Sequence, residues 1–242
     1  QTKKLSDPIM AQALSVTDVA FAFLLILIVG VIQWRTGARH WTTLHASVRM
    51  IVQLLAVGFV LVYIFEASNV WVSLLVLVVM LAVAGYIALR SVKDHSLRHY
   101  GLMLFALVSG GLLALLYVLF AVFDQGFPFE SRFAIPLAGM SLANAMNTLS
   151  LTAERYDAER SHGEDAKRAR AIAFDAAMIP PTNGLFAVGV VSLPGMMTGQ
   201  ILAGVSPLLA VRYQVVIMCL VFGASGIAAS VYLRLRERFS SS

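Results

Sequence analysis

Long uncharged stretches separated by short charged segments dominate this sequence. Each stretch lacks Asp, Glu, Lys and Arg and is close to or above the roughly 17–25 residues with which an α-helix crosses a bilayer. They cover residues 19–34, 50–65, 67–89, 99–123, 133–153, 176–211 and 213–233. The pattern predicts an all-α, polytopic integral membrane protein with about seven transmembrane helices.

The composition supports this interpretation. The chain has 242 residues, 59% of them hydrophobic and 13% charged, with a mean hydropathy of +0.82. Globular domains average about 45–50% apolar and about 25% charged residues. Because a soluble chain of this length needs a more charged surface, we expect a single transmembrane domain over residues 1–242 embedded in a lipid bilayer.

The basic residues concentrate on one side of the predicted membrane. If each stretch crosses once, 14 of the 18 Lys and Arg residues fall in loops on one face, and the exceptions are Lys3, Lys4, Arg132 and Arg212. Since Lys and Arg collect in cytoplasmic loops, we expect the amino terminus outside and the carboxyl terminus in the cytoplasm. The net charge of +5 then requires no nucleic-acid partner.

The stretch at 176–211 is too long for one upright helix. One crossing followed by a broken or re-entrant helix around 194–207 keeps the carboxyl-terminal arginines in the cytoplasm, whereas two crossings would move them outside. Ser206 and Pro207 suit the cap and first turn of a new helix. Gly195 and Gly199 could also serve close helix packing alone. The predicted helix-break or gating residues are Pro180, Pro181, Pro194, Gly195 and Gly199.

The stretch at 133–153 is unusually polar for a membrane span. Ser141, Asn144 and Asn147 are three residues apart and share a helical face. In hydrocarbon such a face turns toward other helices or water, so it serves either interhelical hydrogen bonding or a substrate path. The residues predicted for the path are Met140, Ser141, Asn144, Met146, Asn147, Met196, Met197 and Gln200.

Two charged regions are candidates for contacts at the cytoplasmic side. Arg49 and Gln53 share a helical face at the cytoplasmic end of the second stretch. They either form a cytoplasmic mouth of the substrate path, or Arg49 simply extends its charged group to the membrane surface. The segment at about 153–175 is either a solvated hairpin or a docking surface, with Gly163 dividing it into two short helices. Its candidate ATPase-coupling residues are Glu154, Arg155, Glu159, Arg160, Glu164, Lys167 and Arg168.

Motifs of catalysis are missing from the sequence. No lysine follows a glycine, so there is no P-loop, and there is no His-Glu-x-x-His or Gly-x-Ser-x-Gly. The uncharged stretches contain no carboxylate for a proton relay, and the five histidines lie in or beside predicted loops, where we expect them to be solvated. An enzyme is therefore not expected, and a proton-driven carrier is disfavoured.

The block from Ser192 to Gly204, Ser-Leu-Pro-Gly-Met-Met-Thr-Gly-Gln-Ile-Leu-Ala-Gly, is followed by Pro207 and by Ala-Val-Arg-Tyr-Gln ending at Gln214. It resembles the signature of the FetB-type permeases, membrane subunits of a bacterial ABC transporter that are related to plant permeases of aluminium tolerance. Two further blocks support the resemblance, Gly139-Met-x-Leu-x-Asn-x-Met-Asn147 and Arg49-x-x-x-Gln-Leu54.

The resemblance implies an inner-membrane permease, working as a homodimer, that exports iron and relieves peroxide stress. It further implies that ATP and Mg²⁺ are bound by a separate, FetA-like ATPase subunit, with no cofactor in this chain. No metal ligands are assigned, because hard iron ions prefer carboxylate and imidazole to the thioethers found here. Alternatives are an ABC permease for another small substrate, a secondary transporter, or a membrane scaffold without ATP coupling.

Overall fold

A computed structural model describes residues 15–67, 70–92, 94–124, 126 and 130–240. Lys3, Lys4 and Lys93, which contributed to the charge pattern, lie outside these residues. Within them the regular structure is helical, with one isolated bridge between Val188 and Ser192. The chain forms two compact units, Gln1–Ala67 and Ser68–Ser242.

The first unit is a helical hairpin of α1 (Val16–Arg35) and α2 (His40–Ala67). Ser15 caps α1 in a reciprocal capping box with Asp18, the arrangement that satisfies free N–H groups at a helix start. Gly37, with φ of 71°, turns the chain between the helices. The Thr43 hydroxyl donates to Gln33 Oε1 at 2.7 Å and joins them.

The second unit contains α3 (Val70–Leu89), α4 (Leu97–Val122), α5 (Ser131–Ser161), α6 (Ala166–Ala187), α7 (Gly195–Leu202) and α8 (Pro207–Ser240). α5 is its central helix and packs against α3, α6 and α8. Its buried residues Ala145 and Leu149 belong to one apolar cluster, and Ala134 and Leu137 belong to a second. Small side chains along α5 thus let three helices approach it.

α4 contains two π-helical segments, Val108–Leu112 and Val118–Val122. In the first, a Cβ atom at Gly110 would overlap the backbone carbonyl oxygen of Ala224, so only glycine permits this approach of α4 to α8. The hydroxyl of Ser141 on α5 donates to the Gly111 carbonyl oxygen at 2.8 Å. The π-helical turn therefore lies where α4 meets both α5 and α8.

Five helices in the described part of the chain are long and apolar enough to cross a membrane, namely Thr17–Arg35, His40–Val60, Val70–Leu89, Leu97–Val122 and Pro207–Arg238. Their surfaces expose large apolar side chains, such as Phe21 and Trp71, which suits contact with lipid. The prediction of an all-helical membrane protein is confirmed. The count of seven crossings and the orientation stay predictions.

The structure differs from the sequence interpretation at Pro180–Pro181, because α6 runs through both prolines to Ala187. Ala173 and Ala177 are fully buried one or two turns earlier, so packing fixes the helix on that side. The chain then bends at 188–194, and α7 begins at Gly195 with Pro194 as its N-cap residue. The predicted start at Ser206–Pro207 is confirmed, with α8 beginning at Pro207.

The hydrophilic segment at about 153–175 does not form the two separate short helices that the sequence predicts. α5 continues to Ser161, and Asp165 caps the start of α6. Gly163, with φ of 91°, makes the turn between them. A glycine is favoured in this left-handed conformation because it has no Cβ atom to clash. The break at Gly163 is therefore confirmed, but it joins the ends of two long helices.

Candidate functional site

A cavity of about 470 Å³ lies between α5, α6 and α8. It brings together three of the predicted path residues, Met140, Asn144 and Asn147, with residues of the other two helices. The described residues that line it are Met140, Asn144, Asn147, Thr148, Leu151, Ala177, Pro180, Pro181, Gly184, Gln214, Ile217, Met218 and Val221.

α5 places its amide side chains on the cavity because residues three and four apart share a helical face. Asn144 Nδ2 donates to the Met140 carbonyl oxygen at 2.8 Å, which leaves Asn144 Oδ1 as an acceptor. Asn147 and Thr148 extend the same polar face by one turn. α5 thus contributes amide and hydroxyl groups to this wall of the cavity.

α6 contributes two consecutive positions that have no backbone N–H. Pro180 and Pro181 have no N–H, so the carbonyls of Ala176 and Ala177 lose their helical donors. Ala177, Pro180 and Pro181 all line the cavity. Backbone acceptors freed at membrane depth are tolerated where protein or a cavity can satisfy them, and the two prolines lie at such a place.

α8 contributes Gln214, which sequence reasoning noted only as part of a motif. Gln214 is 6% exposed and lines the cavity, and its Oε1 has no hydrogen-bond partner. Leaving a buried amide oxygen unpaired costs about 1–3 kcal/mol. Gln214, Met218 and Val221 are four and three residues apart, so they share one face of α8. This spacing was the only sign in the sequence that Gln214 could line the same surface as the other two.

The cavity is electrically neutral. None of the described residues that line it has an ionisable side chain. Its polar groups are amides, one hydroxyl and backbone carbonyls, and its apolar groups include the thioethers of Met140 and Met218. Such a lining can bind a small molecule by hydrogen bonding and apolar contact.

Two predicted path residues of α5 lie away from this cavity. Ser141 is fully buried and bonds to Gly111 of α4. Met146 packs against the apolar cluster that includes Ala145 and Leu149. Neither lines the cavity. The polar stripe is therefore divided between Ser141, which bonds to α4, and Asn144 and Asn147, which line the cavity.

The predicted residues of α7 form a separate group. Met196, Met197 and Gln200 are not among the residues lining the cavity, and Met196 packs against the cluster that includes Ile217. A Cβ atom at Gly195 or Gly199 would meet no described atom within 4 Å. Among the described residues these glycines therefore mediate no close packing between helices.

Arg49 and Gln53 belong to the first unit and contact each other. With its amide oxygen turned toward Arg49, Gln53 accepts from Arg49 Nε at 3.0 Å and from Nη2 at 3.2 Å. The four-residue spacing on α2 predicted this shared face.

The candidate coupling residues surround the α5–α6 turn. Arg155 pairs with Glu159 at 2.6 Å within α5, and Arg168 of α6 pairs with Glu164 of the turn at 3.2 Å. Arg160 Nη1 donates to the Glu164 carbonyl oxygen at 2.8 Å. Glu154 and Lys167 are exposed.

Asp165 caps α6 by accepting from the backbone N–H groups of Arg168 and Lys167. The N–H of Arg168, the stronger influence, holds the pKa of the Asp165 carboxyl below its ordinary value. The charged turn thus also supplies the N-cap of α6.

Two ion pairs connect this charged end to α8. Arg170 Nη1 donates to Glu237 Oε2 at 2.7 Å, and Arg236 Nη2 donates to Asp157 Oδ1 at 3.5 Å. A second cavity of about 500 Å³, lined by residues including Arg170, Asp175 and Arg234, lies beside them between α6 and α8. Sequence spacing could not reveal these pairs, because their partners are 67 and 79 residues apart.

His99 is buried, contrary to the expectation that the histidines are solvated. It is 2% exposed, and its Nε2 lies 2.8 Å from the hydroxyl of Tyr232. Its Nδ1 lies 3.4 Å from Asp94 Oδ2. The physical reason is that α4 begins at Leu97 and packs against α8, so that His99 faces Tyr232. Among the described residues there is no group of three or more His, Cys, Asp and Glu that could hold a metal ion.

Comparison with known proteins places these features in a family. The family model described as an uncharacterised protein family, UPF0014, matches residues 16–239. A UPF0014 membrane protein of Synechocystis is 34% identical over 80% of each chain. The Arabidopsis thaliana protein ALUMINUM SENSITIVE 3 is 31% identical over 78% of this chain and 74% of its own.

A third relative is named for a transport activity. The protein of Escherichia coli called a probable iron export permease, FetB, is 30% identical over 80% of each chain. No solved structure matches.

Proposed function

Because this chain belongs to the UPF0014 family of membrane proteins, we propose that it is the membrane-spanning permease subunit of an ABC transporter. The observation that carries the proposal is the neutral cavity between α5, α6 and α8, whose walls lead along α5 and α6 to the charged turn around Asp165. One helical hairpin thus joins a candidate cargo site to a candidate docking surface.

The cargo is proposed to be iron, as the metal or a complex, moving outward across the cytoplasmic membrane. This rests on the name of the E. coli relative, a probable iron export permease, and on the resemblance of its motifs. Loss of this export would make iron-loaded cells more sensitive to peroxide. The chain would act as one permease domain, with the amino terminus outside and the carboxyl terminus in the cytoplasm.

ATP hydrolysis is proposed to occur in a separate ATPase subunit, which binds ATP and Mg²⁺. Two copies of this permease would assemble with two copies of that subunit. The charges of the α5–α6 turn suit a polar, transient protein interface. Because Arg170–Glu237 and Asp157–Arg236 connect this end of the hairpin to α8, movement of the turn would reach all three walls of the cavity.

Reconstitution in proteoliposomes tests the proposal. We expect iron transport that requires ATP, Mg²⁺ and the partner ATPase, with none when the ATPase carries an inactivating substitution in its P-loop. Transport by the permease alone under an ion gradient would instead identify a secondary transporter. Failure of the permease to bind the ATPase or to move iron or any metal complex would favour a scaffold.

A further inference from the structure

The neutrality of the α5–α6–α8 cavity restricts what it can bind. Its polar lining consists of Asn144, Asn147, Thr148 and Gln214, and none of its described lining residues is ionisable. Moving a net charge from water into such a site is strongly unfavourable unless a counter-charge accompanies it. The cavity therefore favours a cargo whose own charges cancel.

Gln214 indicates how such a cargo is held. It is nine-tenths buried, it lines the cavity, and its Oε1 has no hydrogen-bond partner. Buried polar groups in native proteins are almost always paired, and an unpaired one at a cavity points to a ligand that completes it. On the facing helix, Asn144 Nδ2 is bonded to Met140, so its Oδ1 is available as an acceptor.

The third wall adds another uncharged acceptor. Pro181 provides no N–H to the carbonyl of Ala177, and both residues line the cavity. Each of the three helices thus supplies an oxygen that lacks a full set of donors. A cargo with N–H or O–H groups on its outside would satisfy them.

We propose that the cavity binds metal as a charge-neutral complex, in which a small chelator supplies the metal ligands and Gln214 hydrogen-bonds to the outside of that chelator. The inference deepens the proposed function and rests on it for the identity of the cargo as a metal. The amide and carbonyl oxygens of the cavity suit hard metal ions but carry no negative charge, so an anionic chelator is needed to cancel the charge of the metal. The cavity volume of about 470 Å³ lies within the range of about 300–1,000 Å³ that is usual for small-ligand pockets.

Exchange-inert cobalt(III) complexes separate charge from metal identity. The probes are tris(glycinato)cobalt(III), which is neutral and carries N–H donors, hexaamminecobalt(III), which is 3+, and hexacyanocobaltate(III), which is 3−. Binding to the full permease in lipid nanodiscs is measured by equilibrium dialysis and cobalt quantification. We expect the neutral complex to bind at least tenfold more tightly than either charged one.

Variants at Gln214 test its role. Gln214→Leu should weaken binding of the neutral complex at least tenfold, and Gln214→Glu should shift the preference toward hexaamminecobalt(III), because the carboxylate supplies a counter-charge. Ser225→Ala is the matched control, since Ser225 is also fully buried on α8 with an unpartnered hydroxyl but does not line the cavity. The control should bind within twofold of the wild type.

The proposal is overturned if a charged complex binds the wild type as well as the neutral one, or if folded wild-type protein binds none of the three. It is also overturned if the folded Gln214→Leu variant binds the neutral complex with full affinity. If that variant does not fold, the affinities of the wild type for the neutral and the charged complexes decide. The proposed function fails separately if the neutral complex binds through Gln214 but no ATP-driven transport occurs. If ATP-driven iron transport occurs but depends neither on the charge of the cargo nor on Gln214, the proposed function is supported and the proposed binding site is rejected.

Discussion

The few polar side chains buried in the described part of this protein include some that join helices far apart in the sequence. Ser141 illustrates the point, since its hydroxyl is buried and donates to the Gly111 carbonyl oxygen in the π-helical turn of α4. The sequence predicts Ser141, Asn144 and Asn147 together for a substrate path. The structure separates Ser141, which joins two helices, from Asn144, which faces a cavity.

Ser141→Ala is expected to lower the free energy of unfolding by about 1 kcal/mol, because a buried hydrogen bond between α5 and α4 is lost. Ser150→Ala is the control, since the Ser150 hydroxyl donates to the Met146 carbonyl oxygen of its own helix. Thermal unfolding of both variants in detergent measures the effect. Equal stability of Ser141→Ala and the wild type would show that the contact with Gly111 does not stabilise the protein.

The buried pair of His99 and Tyr232 is expected to be energetically coupled. Their side chains bond at 2.8 Å, and the Tyr232 hydroxyl also interacts with Arg236. A double-mutant cycle of His99→Leu and Tyr232→Phe should give a coupling energy of about 0.5–3 kcal/mol in unfolding. Tyr86→Phe, at an exposed position, is the control and should change little. Additive effects of the two core substitutions would refute the coupling.

Among the elements, α6 shows most clearly why local sequence signals were insufficient. Two consecutive prolines indicated a break, but buried alanines before them and the neighbouring helices keep α6 continuous to Ala187. The turn at Gly163 and the start of α8 at Pro207 were predictable, because a positive φ and an N-terminal proline have strong local preferences. Tertiary packing decided the case in which the local preference was wrong.

Pro181→Ala is expected to stabilise the protein but impair transport. The new N–H can bond to the Ala177 carbonyl, and proline in a helix interior costs about 3 kcal/mol relative to alanine. The same bond removes an acceptor from the cavity. Thermal unfolding and transport in proteoliposomes measure the two effects.

Pro136→Ala is the matched control, because Pro136 also lies inside a helix but does not line the cavity. It should leave transport unchanged. Equal transport by Pro181→Ala and the wild type would argue that the freed carbonyl has no part in cargo binding.

At the scale of the whole molecule, sequence patterns revealed the class of protein but not its long-range contacts. Uncharged stretches predicted helices and a membrane location because both follow from local composition. The closure of the cavity by Gln214, 70 positions after Asn144, depends on which faces of α5 and α8 meet. Helical periodicity identifies a face, but it does not say which helix that face will contact.

The ion pair of Arg170 with Glu237 is expected to matter more for coupling than for stability. Both side chains are more than one-third exposed, so the pair should contribute at most about 1 kcal/mol to folding. Glu237→Arg should therefore unfold near the wild-type temperature while reducing ATPase stimulation by cargo in the assembled complex.

The double variant Arg170→Glu with Glu237→Arg tests whether the pairing itself is responsible. Restored stimulation in the double variant would support the pairing. A defect equal to that of the single variant would show that α8 does not take part in coupling through this contact.

The π-helical turns of α4 also affect how this family can change in length. A π-turn contains one residue more than an α-turn, so each of Val108–Leu112 and Val118–Val122 can lose a residue and become α-helical. A deletion elsewhere in α4 would rotate all later side chains by about 100° and misalign their contacts. We therefore expect single-residue gaps between relatives to be tolerated in these two turns, which makes them the natural places where α4 can be shortened during evolution.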